Sequence, residues 1–245
     1  MTSNQTVFVG DVFPVTGGSV TVTKYENNLR VTVTHNDEHA HEMVVQVVRL
    51  RDGKIKNPFR RSVRGVGFIG VGKHLVSENR KHTKAYLLWK DMLKRCYCEK
   101  YQSRYPTYIG CSVHPDWHNF QVFAEWFYSK NRPKRWDLDK DLAVVGNKVY
   151  GPEFCTFVPK AINYIFNCKK NIHRVLPTSV NIRSGKYISQ LSENGKNRLI
   201  GEFDTADEAF LSYKIAKENY AKRIAREYKG RIDERVYKTL MKYEA

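Results

Sequence analysis

The chain has 245 residues, with 42 Lys and Arg against 25 Asp and Glu for a net charge of +17, and no apolar run long enough to cross a bilayer. A membrane span is excluded, and the amino terminus, which lacks a basic stretch followed by an apolar core, is not expected to be a signal peptide. Because Lys and Arg recur along nearly the whole chain and no strongly basic stretch carries a fully apolar opposite face, the expected partner is nucleic acid and not a membrane surface.

The five cysteines, Cys96, Cys98, Cys111, Cys155 and Cys168, are odd in number and form no CxxC pair. That disfavours a disulfide scaffold or a zinc ribbon and suggests reduced thiols in a cytoplasmic setting. A structural zinc on Cys96, Cys98, Cys111 and His114 is a secondary reading only.

Residues 1–50 read as β structure. Alternation over Ser19–Thr23, Leu29–Val33 and Met43–Val48, with a turn at Asn27-Asn28, predicts hairpins in a small β-barrel-like domain. His35, His39 and His41, near Asp37 and Glu38, fall in an intervening polar loop, read as exposed and not as a metal site. Residues 51–75 form a basic linker in which Arg60, Arg61 and Arg64 are candidate DNA contacts. Its GVGFIGVGK run departs from a phosphate loop because His74 follows Lys73 where Ser or Thr is needed. No nucleotide cofactor is expected, and the glycines are assigned to tight turns or close packing.

Helical spacing of Tyr86, Trp89, Leu93 and Cys96 predicts an amphipathic helix over Thr83–Tyr97. A second helix over Trp117–Lys130 has Asn119 as a cap and Phe120, Phe123, Ala124 and Phe127 as its core face. Between them, KYQSRYPTYIGCSV interleaves Tyr with Arg and could touch a DNA backbone. The stretch Trp136–Asn163 then reads as two strands and the start of a helix. Leu138 and Leu142–Val145 supply the first strand and its continuation, Gly146-Asn147 a turn, Phe154–Val158 the second strand, and Pro159 opens a helix carrying Asn163.

After a basic bridge at 169–176, three short strands are predicted at Val180–Ile182, Lys186–Leu191 and Arg198–Phe203, joined at Ser184-Gly185 and Glu193-Asn194-Gly195. Thr205 and Glu208 form a capping box, and Ala209, Tyr213, Ala216, Tyr220 and Ile224 make one helical stripe. The tail Lys229–Ala245 reads as a charged helix extension with no assigned purpose.

Two resemblances add to this reading. The strings LLWKDMLKRCY, YPTYIGCSV, WHNFQVFAEW, LDKDLAVVGNKVYGPEFCTFVP and AIN resemble the core of phage-encoded HNH (His-Me finger) homing endonucleases. That resemblance implies a ββα-metal nuclease domain over 76–168, with Asp139 as the metal-binding aspartate, Asn147 as the loop asparagine, Asn163 as the helix ligand, and Mg²⁺ or Mn²⁺ as the cofactor. Lys140 stands where the family carries its general-base His. Lysine is a poor base but a good phosphate clamp, so His114 and His118 are the first candidates for the base, and Asp141 could orient the metal or its water.

The string GKYISQLSENGKNRLIGEFDTADEAFLSYKIAKENY resembles the APETALA2-type DNA-binding domain, over 177–245. It implies a sheet laid in the major groove, with Arg183, Lys186, Tyr187, Gln190, Lys196 and Arg198 as candidate contacts. The tryptophans usual in plant members are lacking. The expected fold is thus α+β: a β-barrel-like domain, an HNH-like ββα domain and a three-stranded sheet with a helix. The expected function is a sequence-targeted, divalent-metal-dependent endonuclease acting on double-stranded DNA as a monomer. A non-cutting duplex-binding protein is the alternative, and RNA binding a third reading.

Overall fold

The computed structural model describes residues 7–130, 133, 135–144, 146–166, 176–193 and 195–245. They form an α+β protein of two compact units, one of Met1–Ile109 with Val113–Ser129, the other of Gly110–Ser112 with Lys130–Ala245. The division near residue 130 falls inside the span 76–168 expected to be one nuclease domain. Val145, Cys168, Asn194 and most of the expected bridge at 169–176 lie outside the described residues.

The first unit opens with strands β1 (Val12–Val15), β2 (Gly18–Asn27), β3 (Arg30–His35) and β4 (Glu42–Val45), paired antiparallel in chain order. The expected barrel is corrected to an open four-stranded meander, because pairing stops at β1 and β4. Its apolar face, Val20, Val22, Val31, Val33 and Val45, is covered instead by Val47 and Leu50 of helix α1 (Val47–Arg51) and by Ile55. The strand expected over Met43–Val48 therefore ends at Val45. Ile55 is buried, so the 51–75 stretch is partly core and not a free linker.

A two-residue hairpin, β5 (Ser77–Glu78) and β6 (Lys81–His82), leads into α2 (Lys84–Tyr97), capped by Thr83, whose hydroxyl accepts the Tyr86 N–H at 3.3 Å. Helix α3 (Glu99–Arg104) follows, then β7 (Ser112–Val113), through which the unit boundary passes, and α4 (Phe120–Ser129). Phe120, Phe123, Ala124 and Phe127 are buried with Trp89, Met92 and Leu93, and the Trp89 indole donates to the Trp117 carbonyl at 2.7 Å. These aromatics are thus core, each contributing about 1.5–3 kcal/mol by burial. Gly67 is required here: a Cβ would sit 2.5 Å from Leu93 Cδ1 and 2.8 Å from Trp89 Cζ2, which is the close packing expected of the glycine run.

In the second unit, β8 (Trp136–Asp139) is followed by the short β9 (Val149–Tyr150) and by β10 (Thr156–Pro159), which pairs antiparallel with β8. Pro159 closes β10, and α5 (Lys160–Phe166) starts at the next residue. The meander β11 (Val180–Arg183), β12 (Lys186–Glu193) and β13 (Lys196–Phe203) comes next, backed by α6 (Ala206–Glu227). Helix α6 starts on the expected capping box: Thr205 Oγ1 accepts the Glu208 N–H and the Glu208 carboxylate accepts the Thr205 N–H, both at 3.2 Å.

The tail is not a simple extension. Helix α7 (Glu234–Met241) buries Val236 and Leu240 in the same cluster as Leu142, Val158 and Ile162 of the hairpin segment and Leu191, Tyr220 and Ile224 of the sheet and α6. One core therefore serves the ββα hairpin and the carboxy-terminal sheet, which the sequence places in separate domains.

Candidate functional site

Antiparallel β8 and β10 running directly into α5 place the hairpin residues. Asp139 ends β8 opposite Thr156, and its Oδ1 accepts the N–H groups of Asp141 and Leu142, both at 2.8 Å. Those bonds favour the carboxylate, but burial outweighs them and pushes the Asp139 pKa up. Strand alternation puts Asp137 on the same face, opposite the buried Leu138. The sequence reading does not single out Asp137; its two-residue spacing from Asp139 in WDLD is the signal that could have found it.

Asn163, on α5, donates from Nδ2 to Asp137 Oδ2 at 3.4 Å. Its Oδ1 is buried and has no hydrogen-bond partner among the described residues. A buried acceptor costs free energy unless something donates to it or coordinates it, so this atom is an open ligand position. Asp139, Asp137 and Asn163 offer the hard oxygens that Mg²⁺ takes. Among the described residues no three His, Cys, Asp or Glu side chains cluster to hold a metal, so a divalent ion here would need the amide oxygen.

Asn147 is spent on the loop itself. Its Nδ2 donates to the carbonyls of Lys140 (2.9 Å) and Val149 (2.7 Å), and its Oδ1 accepts the Val149 N–H at 3.1 Å. The structure thus gives the loop asparagine, the metal ligand implied by the HNH resemblance, a positioning role within the loop. Lys140 is only 7% exposed: its ammonium pairs with Asp141, donates to the Asn147 carbonyl at 3.0 Å and lies 5.6 Å from the Tyr150 ring centroid. Held this way it braces the loop and is not presented as a clamp for a phosphate. Beside it Cys155 is buried, which pushes its thiol up to about 12 and leaves it unreactive.

His114 and His118 belong to the first unit, whereas the hairpin belongs to the second. His114 caps a 3₁₀ turn, its Nδ1 accepting the Asp116 N–H at 3.3 Å. His118 Nε2 lies 3.4 Å from the Tyr97 hydroxyl, which itself accepts the Val113 N–H at 3.0 Å. Burial, with Arg61 and His114 nearby, holds the His118 pKa below its usual value, so the ring is neutral near pH 7. Arg61 is exposed, Arg60 lies across Gly17 at the β1–β2 turn, and Arg64 Nη1 contacts Cys98 Sγ at 3.7 Å.

The candidate DNA contacts on the sheet divide between its two faces. Glu193, Leu191 and Arg198 turn towards α6: Leu191 joins the core, and Glu193 pairs with both Arg198 and Arg223 of α6. Direct register partners share a face, so Tyr187 (opposite Phe203) and Lys196 (opposite Glu193) belong to that side as well. The open face carries Arg183, Lys186 and Gln190, with exposed Leu199 and Asn197. Lys186 pairs with Asp204, whereas Arg183 has no ion pair among the described residues. Among the described residues no helix is long and apolar enough to cross a membrane. Compared with protein-family models, curated proteins and solved structures, the chain matches none.

Proposed function

We propose that this protein is a divalent-metal-dependent DNA endonuclease of the HNH type, cutting at the β8–β10–α5 hairpin and holding duplex DNA on the open face of the β11–β12–β13 sheet. The buried Oδ1 of Asn163, without a partner among the described residues, carries the reading: the same amide reaches Asp137, and Asp139 lies two residues along on that strand face of a ββα frame. Asp139, Asn163 and Asp137 would hold Mg²⁺ or Mn²⁺, which, when bound, stabilises charge developing on a phosphate and its leaving oxygen. Desolvation of Asp139 disfavours its bare charge and so favours a cation beside it. Asn147 and Lys140 fix the loop that positions Asp139. The side chain that would serve as general base is not assigned by the hairpin residues themselves, because Lys140 fills the family's position for it.

The non-cutting reading is favoured by one observation: the position of the family's base holds a buried, ion-paired ammonium. Supercoiled plasmid and duplex DNA incubated with Mg²⁺ or Mn²⁺ separate the two. Metal-dependent cuts lost in Asp139→Ala, with duplex binding kept, support the endonuclease. Duplex binding without cleavage by either protein gives the site to the binding reading.

A further inference from the structure

The Tyr-rich segment after α2 contains a preorganised surface that the hairpin chemistry does not use. Tyr101 packs on Tyr105 (ring centroids 4.7 Å apart) and on Tyr108 (5.8 Å). Each ring carries its own cation: Lys94 at 4.7 Å from Tyr101, Arg104 at 5.7 Å from Tyr105, and Arg95 at 5.6 Å from Tyr108. The Gln102 amide fixes the backbone beneath, donating to the carbonyls of Arg95 (3.2 Å), Cys96 (2.8 Å) and Tyr108 (3.3 Å). Tyr105 is nevertheless 41% exposed, and neighbouring Ile109 is 59% exposed. An aromatic ring open to solvent at Tyr105, packed on a second ring and with cations within 6 Å of the ring centres, offers the stacking and phosphate attraction that a strand with unpaired bases uses.

We infer that this tyrosine cluster binds single-stranded DNA, stacking an unpaired base on Tyr105 while Arg104 and Lys94 attract the flanking phosphates. Intact duplex buries its base faces and cannot use the cluster, so the surface serves an opened or displaced strand. The choice of DNA over RNA rests on the endonuclease reading; the stacking chemistry does not.

The test is binding by the full chain, with a chelator present to prevent cleavage, of a labelled thymidine strand of about twelve nucleotides. An abasic strand of equal length and a duplex are run beside it. The thymidine strand is expected to bind at least about ten-fold tighter than the abasic strand. Tyr105→Ala should lose most of that advantage, Tyr105→Phe should keep it, and neither should alter duplex binding. Equal affinity for thymidine and abasic strands, or an unchanged preference in Tyr105→Ala, overturns the inference. So does failure to bind either strand, which would leave the face to a protein partner. Failure of the unmutated chain to bind duplex, with the thymidine strand still bound, speaks against the endonuclease reading and not against the cluster.

Discussion

Asn147 and Asn163 bring the same side chain to two parts of one hairpin, and their hydrogen bonds give them different work. Every polar atom of the Asn147 amide is bonded to loop backbone, so Asn147→Ala strips partners from Lys140 and Val149 and should cost about 1–3 kcal/mol in chemical denaturation. Asn163→Ala gives up one long bond, 3.4 Å to Asp137, and an acceptor with no partner among the described residues, and should cost distinctly less. Divalent metal should reverse the contrast. Mg²⁺ titrated into the wild type should raise the melting midpoint, since a ligand that binds only the folded state stabilises it, and this rise should vanish in Asn163→Ala. A full Mg²⁺ effect in Asn163→Ala would remove that residue from the site. Residue types at 139, 147 and 163 were legible in the sequence, but their partners were not. Burial of Lys140 and the open Asn163 oxygen depend on chain segments that meet only in the folded unit.

Elements defined by local chemistry are legible in the sequence, and those defined by distant packing are not. Thr83, Asn119 and the Thr205–Glu208 box announce helix starts because each cap is satisfied within three residues. Closure of the β1–β4 meander is a non-local property, and alternation alone does not distinguish an open sheet covered by α1 from a barrel. Strand faces in β12 and β13 required the register as well, since the pairing shifts between Ser189 and Gln190. Helix α7 was readable in principle: Val236 and Leu240 stand four apart among charges, the spacing of a buried stripe. It also ties down the hairpin, with Thr239 Oγ1 donating to the Leu142 carbonyl at 3.1 Å and Arg235 to the Glu153 carbonyl at 2.6 Å. Leu240→Ala should therefore cost about 2–5 kcal/mol in denaturant melts of the full chain. Reduced hydrogen-exchange protection should appear in the β8–β10 hairpin as well as in α7, because the two share a core. Loss confined to α7 would show that the tail is dispensable to the hairpin.

At the scale of the whole molecule, pairing every carboxylate with one cation would still leave 17 cations, so under the proposed function electrostatic attraction to DNA is expected to dominate affinity. Such attraction is blind to sequence and weakens as salt rises, by about a thousand-fold or more between 50 and 200 mM when six or more phosphates are neutralised. Total charge does not rank the faces for the proposed duplex contact, but ion pairing does. Arg198 faces α6 and is engaged by Glu193 at 2.9 Å, whereas Arg183 lies on the open face with no ion pair among the described residues. Bringing Arg198 to a phosphate would first require giving up a carboxylate that it shares with Arg223. Arg183→Ala should therefore weaken duplex binding and reduce the slope of log affinity against log salt by about 1, if its contact is to phosphate. Should Arg183 instead read a guanine edge, the slope would hold and discrimination against the wrong base would fall by about 1–3 kcal/mol. Arg198→Ala should change neither quantity. Binding measured over a salt series on matched and mismatched duplexes checks all three expectations. A loss in Arg198→Ala with none in Arg183→Ala would transfer the duplex from the open sheet face to the side covered by α6.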